Sequence, residues 1–201
     1  MEGLFFARLP LSWEQLRDST ILLSGASGMI GSFLTDVLLM GKPELNIKII
    51  AVIRNEERAK RRFLPYINDG KLKIVVADIN KGVPHMEENT GYVIHAASNT
   101  HPRAYATEPV TTILTNIIGT DNMLKCGLQH KMKRFVFVSS VEIYGENRGD
   151  TDKFAEDYCG YLDSNTLRAG YPEGKRVGEA LCQAYIHEHN ADIVLPRLPR
   201  V

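Results

Sequence analysis

A tyrosine and a lysine stand four residues apart, at Tyr171 and Lys175. In a helix this spacing places both side chains on one face, where the ammonium favours the phenolate and lowers a phenol pKa that is ordinarily about 10. Such a phenolate is a general base, which takes the proton from a hydroxyl while hydride leaves the same carbon. The spacing alone is common, so its meaning depends on what precedes it.

Two features precede this pair. The glycines Gly25, Gly28 and Gly31 follow a short apolar run and open a helical pattern. Backbone N–H groups at such a helix start face a pyrophosphate with no Cβ in the way, which favours dinucleotide binding over a flexible turn. A serine pair, Ser139 and Ser140, ends a later apolar run. The three features in this order predict an oxidoreductase-type site.

Apolar runs alternate with helical patterns along the chain, and each functional motif falls at the end of an apolar run. Strands are predicted at residues 20–24, 47–53, 72–77, 92–97, 134–139 and 192–195. Helices are predicted at residues 30–41, 56–66, 109–130 and 172–189, and a polar loop over a site at 147–169. Nearly continuous apolar strands predict an α/β fold, a doubly wound parallel sheet of the Rossmann type with helices on both faces. Such a sheet binds ligands at the carboxyl ends of its strands.

Composition excludes several classes of protein. The 201 residues suit one domain, and 24 basic against 24 acidic residues give no net charge to attract nucleic acid or an anionic membrane. Three widely spaced cysteines favour reduced thiols over disulfides or zinc. The start of the chain does not resemble a signal peptide, and glycines and polar residues interrupt the apolar stretch at 21–40. We expect a cytoplasmic protein, with no metal at His187 and His189.

The end of the second predicted strand bears on the choice of cofactor. An acidic residue there would bind the adenine ribose of NAD, but the strand ends in Arg54 and Asn55. Arg54 could pair with the 2′-phosphate of NADP. Alternatively, it begins a solvated basic face formed by Arg58, Lys60, Arg61 and Arg62. We therefore expect NAD or NADP, with a slight preference for NADP. Asp78, followed by Ile79, would contact the adenine or cap a strand end.

Together these motifs resemble the extended short-chain dehydrogenase/reductase family, in its nucleotide-sugar epimerase/dehydratase/decarboxylase branch. The resemblance runs from about residue 19 to residue 201. Besides the glycine turn and the Tyr171–Lys175 pair, the matching stretches are Asp78-Ile79, His95-Ala96-Ala97, residues 116–120 and residues 139–145. Several motifs in one order make this resemblance specific.

The resemblance implies a role for each matching residue. Tyr171 would deprotonate a sugar hydroxyl as hydride passes to the nicotinamide, and Lys175 would hold the nicotinamide ribose and lower the Tyr171 pKa. Ser140 would hydrogen-bond the reacting oxygen, while Asn116 would order the helix beside the site. The residues expected to bind the cofactor are Gly25, Ser27, Gly28, Met29, Ile30, Gly31, Arg54, Asp78, Ile79, Ala96, Ala97, Asn116, Tyr171 and Lys175.

Glu142 bears on the reaction type. Dehydratases of this branch carry an Asp-Glu pair directly after the Ser/Thr, UDP-glucuronate decarboxylases keep the Glu behind a small residue, and simple epimerases usually lack it. This chain has Val141-Glu142. The resemblance therefore weakens a 4,6-dehydratase interpretation and leaves a decarboxylase-like or epimerase-like lyase or isomerase open, with Glu142 as a further catalytic residue. A surface Glu in a loop is the alternative. A catalytically idle NAD(P)-binding regulatory module and a net NADP-dependent reductase also stay open.

Several weaker expectations complete the interpretation. His95, His101, Tyr158, Tyr161 and Arg168 could reach substrate, and the small Gly174 could let the cofactor approach closely. Residues 1–18 are expected to be an N-terminal extension and 19–201 a NAD(P)-binding domain that lacks the C-terminal substrate domain. Such a fragment would turn over a nucleotide sugar poorly or not at all. The resemblance also implies a homodimer formed through the helices at 109–130 and 172–189.

Overall fold

A parallel β-sheet forms the centre of the chain in the computed structural model, which describes residues 10–99 and 107–199. The strands of the described part are β1 (Thr20–Ser24), β2 (Lys48–Ile53), β3 (Leu72–Val76), β4 (Tyr92–His95), β5 (Arg134–Phe137), β6 (Ser139–Ser140), β7 (Ile193–Val194) and β8 (Arg197–Leu198). The α-helices of that part are α1 (Met29–Met40), α2 (Glu56–Asn68), α3 (Pro109–Gln129) and α4 (Gly170–His189). Short 3-10 helices occupy Trp13–Leu16, Pro43–Leu45, Val141–Tyr144 and Leu167–Ala169.

Six strands form the main sheet in the order β3-β2-β1-β4-β5-β7, and every neighbouring pair is parallel. The chain runs outward from β1 to β3 and then returns to place β4 on the other side of β1. The carboxyl ends of β1 and β4 therefore flank the point where the strand order reverses, which is where sheets of this type bind ligands. The predicted doubly wound parallel sheet is confirmed.

Helices cover both faces of the sheet. On one face Leu38 of α1 and Phe63 of α2 pack against Ile21 and Leu23 of β1. On the other face Leu22 of β1 lies in a cluster to which α3 contributes Met123 and Leu124, and α4 contributes Cys182 and Tyr185. Successive residues of β1 thus enter opposite cores. This explains why the strand is apolar throughout rather than alternating.

One predicted boundary is wrong in a way that matters for the site. The strand expected at 134–139 leaves the main sheet after Phe137. The Val138 N–H still donates to the His95 carbonyl at 3.1 Å, but the Ser139 N–H donates to the Pro196 carbonyl at 3.0 Å. Ser139 and Ser140 instead pair with Arg197 and Leu198 in a separate two-stranded sheet. The last strand, expected at 192–195, is likewise shortened to Ile193–Val194.

Residues before β1 pack onto the same domain. Trp13 and Leu16, in the first 3-10 helix, lie partly buried against the cluster on the α1–α2 face. The boundary of an N-terminal extension at residue 18 stays a prediction. Within the described residues, every helix is too short or too polar to cross a lipid bilayer.

Candidate active site

An open cleft of about 350 Å³ lies at the carboxyl ends of the first four strands. It is lined from four directions: the glycine turn after β1, the ends of β2 and β3, the segment after β4, and α3. The lining residues are Gly25, Ser27, Gly28, Val52, Ile53, Arg54, Asn55, Arg58, Ala77, Asp78, Ile79, Ala96, Ala97, Ser98, Asn99 and Thr115. Eight of the residues expected to bind cofactor therefore share this cleft: Gly25, Ser27, Gly28, Arg54, Asp78, Ile79, Ala96 and Ala97.

Each glycine of the turn after β1 is required for a different physical reason. Gly25 adopts φ +73°, and a Cβ there would lie 2.7 Å from the Ala97 nitrogen, so only glycine lets β1 and β4 end this close together. A Cβ at Gly31 would overlap the Gly25 carbonyl oxygen, so this glycine lets α1 pack beneath the turn. Gly28 is the N-cap of α1 and has no side chain to accept from the first N–H groups. Those groups, with the positive end of the helix, are suited to an anion.

Three of the expected cofactor residues in this turn do not line the cleft. Met29 is largely exposed, Ile30 is half-buried within α1, and Gly31 faces the Gly25 backbone. Their contribution in the structure is to begin α1 and set its distance from the turn.

Two arginines, Arg54 and Arg58, line the cleft beyond β2. The Asn55 side chain caps α2 by accepting from the Arg58 N–H at 2.9 Å, which fixes the first turn that carries Arg58. Of the other basic residues on this face, Arg62 pairs with Asp36 and Lys60 pairs with Glu56. Arg54 and Arg58 are both exposed at the rim of the cleft, so the alternative of a solvated basic face that begins at Arg54 stays open.

Asp78 and Ile79 follow β3 and have different environments. The Asp78 carboxylate accepts from the Asn80 N–H at 3.1 Å, the cap expected at a strand end, while the residue also borders the cleft. Ile79 is buried against α3, where a Cβ at Gly119 would lie 2.8 Å from its Cδ1.

A second group, Ser140, Glu142 and Tyr171, meets beyond β5. Ser140 caps the 3-10 helix Val141–Tyr144, with its Oγ accepting from the Glu142 N–H at 3.2 Å. The Tyr171 side chain is buried, and burial raises its pKa. A hydrogen bond with Ser140 opposes this rise, and the charge of Glu142 adds to it. The Glu142 side chain is only 16% exposed, so it is not a surface Glu.

The two-stranded sheet of β6 and β8 holds Ser140 and the Val141–Tyr144 helix in place. Ser139 is buried and donates from its hydroxyl to Glu179 of α4. Glu179 in turn accepts from Arg197 of β8 at 2.8 Å, and the Arg197 guanidinium also donates to the Tyr144 hydroxyl at 2.8 Å. The Val141–Tyr144 turn is therefore tied to both α4 and β8. The pKa of Arg197 is raised, chiefly by its hydrogen bonds to Glu179.

Lys175 corrects an expectation. Its side chain is 2% exposed, its Nζ donates to the Val138 carbonyl at 2.7 Å, and it lies 4.7 Å from the Phe137 ring centroid. Burial lowers the Lys175 pKa to about 7. The expected lowering of the Tyr171 pKa by this ammonium is absent. The Tyr171 pKa is raised, because burial outweighs the other influences and Nζ points to Val138, 5.9 Å from the Tyr171 ring centroid.

Asn116 connects the cleft with this group. It is fully buried, accepts from the Ser98 hydroxyl at 2.9 Å and donates to the Thr112 carbonyl at 3.0 Å. A Cβ at Gly174 would lie 3.1 Å from the Asn116 Cβ. Gly174 therefore allows α4 to approach α3, rather than facing the cleft as expected. Asn116 does not line the cleft and joins one wall of it to the helix that carries Tyr171 and Lys175.

The weaker candidates separate clearly. Arg168 lies 3.6 Å from the Glu142 carboxylate, whereas Tyr158 donates to Asp150 and Tyr161 lies against Arg148, both on the exposed loop. His95 is fully buried, so its expected contact with substrate is wrong, and His101 lies outside the described residues.

His187 and His189 are exposed. Residues 10–99 and 107–199 contain no group of three or more His, Cys, Asp or Glu side chains arranged to hold a metal ion.

The sequence-based interpretation missed Asn55, Arg58, Ser98 and Thr115 as lining residues. An Asn followed three residues later by Arg at a helix start is a signal that could have revealed the first two, because the cap sets the direction of that turn. Ser98 directly follows the Ala96-Ala97 pair. Thr115 precedes Asn116 on α3, and the sequence carries no sign that it faces the cleft.

The strand order, the glycine turn and the cleft at the reversal point together define an α/β domain of the Rossmann type, the class of fold that binds dinucleotides at this position. The sequence model of the NAD dependent epimerase/dehydratase family matches residues 21–201. The chain belongs to this family.

Relatives and solved structures agree with this membership. The chain is 32% identical over 180 residues to UDP-glucuronic acid decarboxylase 1 of Danio rerio, covering 89% of this chain and 40% of the relative. It is 31% identical over 179 residues to UDP-glucuronic acid decarboxylase 5 of Arabidopsis thaliana, covering 89% and 50%. The chain thus spans half or less of the length of these relatives.

Two solved structures share the fold. A dTDP-glucose 4,6-dehydratase from Streptomyces venezuelae with NAD bound superposes with a TM-score of 0.71 at 23% identity, covering 89% of this chain and 55% of the other. A UDP-glucuronic acid 4-epimerase from Bacillus cereus, in complex with UDP-glucuronic acid and NAD, gives a TM-score of 0.70 at 22% identity, with the same coverage.

Proposed function

We propose that this chain is the cofactor-binding half of an enzyme that acts on a nucleotide sugar by removing and returning a hydride. The observation that supports this most is the meeting of Ser140, Glu142 and Tyr171 on the domain whose cleft carries the glycine turn. A hydroxyl and a carboxylate, both partly buried, beside a buried phenol are the parts that proton transfer to and from a sugar hydroxyl requires.

The cleft fits a dinucleotide. The uncapped N–H groups of α1 suit a pyrophosphate, and the close approach of β1 and β4 at Gly25 leaves a floor of backbone without bulky side chains. Gly25, Ser27 and Gly28 would hold the phosphates, and Asp78 and Ile79 would border the adenine end. NAD or NADP, when bound, supplies the hydride acceptor and donor.

The residues of the chain would then divide the proton chemistry. Tyr171 would take the proton of the sugar hydroxyl, and Ser140 would hold the reacting oxygen by a hydrogen bond. Glu142, whose charge reaches Tyr171, would be a second acid or base for the step that follows oxidation. Lys175 would orient the ribose after leaving the Val138 carbonyl. Because burial raises the Tyr171 pKa, the phenol would act as a base only once the Lys175 ammonium has turned from the Val138 carbonyl toward it.

We infer a UDP-glucuronate decarboxylase-like reaction in preference to a 4,6-dehydratase-like one, since Glu142 is present without an acidic residue before it and the relatives named above are decarboxylases. The test is an assay of the full-length protein with UDP-glucuronate, UDP-glucose and dTDP-glucose. We expect CO₂ release from UDP-glucuronate with no net change in nicotinamide absorbance. A net change would support the reductase alternative, and cofactor binding without turnover of any of the three would support a catalytically idle NAD(P)-binding regulatory module.

We infer a preference for NADP over NAD from Arg54 and Arg58, because two guanidinium groups border the cleft where an NAD-binding protein carries a carboxylate. Arg54→Gln is expected to weaken NADPH binding by about tenfold or more while NADH affinity changes little. Titration of the chain with each dinucleotide measures both. Arg61→Gln, on the exposed side of α2, is the matched control. Equal affinities for the two cofactors in the unsubstituted chain would contradict the preference.

A homodimer is proposed from the outer surfaces of α3 and α4. Val110, Leu114 and Ile118 recur every four residues along α3 and are exposed, as is Val177 on α4. A helical row of exposed apolar side chains is typical of an interface. Sedimentation is expected to show a dimer, and Leu114→Glu is expected to convert it to a monomer. A monomer at high micromolar concentration of the unsubstituted chain would contradict the proposal.

A further inference from the structure

A chain of buried hydrogen bonds runs from the end of β1 to the middle of α3 through His95. The Ser24 Oγ lies 2.6 Å from His95 Nδ1, and His95 Nε2 lies 3.1 Å from the Thr120 Oγ1. Thr120 donates to the Asn116 carbonyl at 2.7 Å, and the Ala97 N–H donates to the Ser24 Oγ at 3.4 Å. Ser24, His95 and Thr120 are all fully buried.

These contacts fix one arrangement of protons. Because the Thr120 hydroxyl gives its hydrogen to the Asn116 carbonyl, it can only accept from His95, so Nε2 carries the proton. Nδ1 of the neutral ring is then an acceptor, and Ser24 donates to it. The Ser24 hydroxyl donates its hydrogen to Nδ1, and its oxygen accepts from the Ala97 N–H. Every member of the chain is satisfied in this one direction.

The surroundings of the ring favour its neutral form. Burial is the main reason that the pKa of His95 is lowered to about 3, and the charge of Lys175 adds to the effect. The rings of Phe135 and Phe137 lie 6.4 and 5.8 Å from the imidazole, measured between centroids. The buried surroundings therefore stabilise the His95 ring as a neutral imidazole with a single tautomer.

The hydrogen-bond chain ends at the floor of the cofactor cleft. Ala96 and Ala97 line the cleft, and they lie against the Gly25 backbone at the point where strand order reverses. The bond from Ala97 to Ser24 ties these two backbones together, and its acceptor is oriented by His95. The next residue, Ser98, is held separately by Asn116. Two connections from this segment to α3 thus converge on Asn116, one through its carbonyl and one through its side chain.

We propose that His95, fixed as the Nε2–H tautomer, is a positioning residue that sets the floor of the dinucleotide cleft through Ser24 and the Ala97 backbone. It does not touch the cofactor. The inference rests on the proposed NAD(P) binding, since the cleft has no positioning requirement without that ligand. It predicts that substitutions that break the hydrogen bonds from His95 to Ser24 or from Ser24 to Ala97 lower cofactor affinity. Loss of any other buried hydrogen bond is expected to lower stability alone.

Substitutions can distinguish the contact of His95 Nδ1 with Ser24 from the contact of His95 Nε2 with Thr120. His95→Gln can still reach Thr120 but removes the acceptor for Ser24, and Ser24→Ala removes the acceptor for Ala97. Each is expected to weaken NADPH binding by about fivefold or more, the effect of one lost hydrogen bond. His95→Asn retains an acceptor near the Nδ1 position and is expected to weaken binding less. Tyr185→Phe removes a 2.7 Å hydrogen bond to Asp121 between α3 and α4 and controls for stability alone.

Isotope-labelled imidazole spectra of the unsubstituted chain test the proton arrangement without any variant. We expect one of the six histidines to show a protonated Nε2 and an unprotonated Nδ1 that do not change from pH 5 to pH 8. An Nδ1–H tautomer, or a ring assigned to His95 that titrates in this range, would overturn the inference. So would affinities of the variants that simply follow their stabilities. Failure of the unsubstituted chain to bind either dinucleotide would remove the proposed function and this role with it, while the spectra would still show whether the hydrogen-bond chain exists.

Discussion

Replacing Tyr171 by Phe is expected to lower kcat of the full-length protein by about 10²- to 10⁴-fold, the usual contribution of a general acid or base. The Tyr171 phenol forms a hydrogen bond with Ser140 and lies within reach of the charge of Glu142. Removing its oxygen therefore removes the proton acceptor while the ring stays to fill the buried space. Cofactor affinity should fall far less than kcat. Steady-state kinetics with UDP-glucuronate, together with NADPH titration, measure the two effects separately.

Tyr185→Phe is the matched control for this experiment. Tyr185 lies on the same helix, and its hydroxyl donates to Asp121, away from the Ser140–Glu142 turn. Both variants lose one phenol oxygen from the same helix. A difference in kcat between them therefore shows the effect of where the lost hydroxyl lies. Equal losses of kcat in the two variants, or no loss in either, would contradict a catalytic role for Tyr171.

Replacing Lys175 by Met is expected to stabilise the fold while it abolishes turnover. The lysine is buried with a pKa lowered from 10.5 to about 7, so the unfolded chain binds its proton more tightly than the folded one. Its burial therefore costs stability in full below pH 7, and the cost disappears as pH rises from 7 toward 10.5. Met fills the same space without a charge, and its advantage at pH 7 should be on the order of 4 kcal/mol in the free energy of unfolding.

Denaturant unfolding of both proteins at several pH values measures this effect. The advantage of the Met variant should be greatest at or below pH 7 and should shrink steadily toward pH 10. Lys125→Met, which removes an exposed lysine paired with Asp121 on α3, should change the free energy of unfolding by less than about 1 kcal/mol at every pH. Destabilisation of the Lys175→Met protein at pH 7, or an advantage independent of pH, would show that the ammonium is not held at a cost.

Lys175 therefore combines a stability cost with a place on the same helix as the proposed catalytic phenol. A charge that is expensive to bury is retained beside Tyr171, where the fold alone would favour an apolar side chain of the same length. The Val138 carbonyl accepts one hydrogen bond from the ammonium, and the Phe137 ring lies 4.7 Å from it. Sites of this kind, in which stability is lost where chemistry is located, are typical of active centres.

Much of the fold could be predicted from local patterns. Apolar runs such as Ile21–Leu23 enter two cores at once and so are continuous, and the glycine spacing reports two backbone contacts that no other residue allows. The convergence of motifs on the strand ends follows from parallel topology. Eight expected cofactor residues share one cleft for this reason.

The remaining features depend on contacts between distant parts of the chain. Ser139 leaves the main sheet because it pairs with Arg197, nearly sixty residues later, which no local pattern contains. The direction of the Lys175 side chain depends on the Val138 carbonyl, and the neutrality of His95 depends on its burial between Ser24 and Thr120. Each of these is fixed by packing rather than by residue type or spacing.

The most direct test of the account is a crystal structure of this chain grown with NADP⁺. We expect the pyrophosphate at the first turn of α1, the 2′-phosphate between Arg54 and Arg58, and the nicotinamide ring beside the Tyr171 hydroxyl. The Lys175 Nζ should have moved from the Val138 carbonyl to the nicotinamide ribose. A dinucleotide bound with its nicotinamide end away from Tyr171, or a cleft that stays empty at saturating NADP⁺ and NAD⁺, would contradict the claim that this domain brings a cofactor to a catalytic phenol.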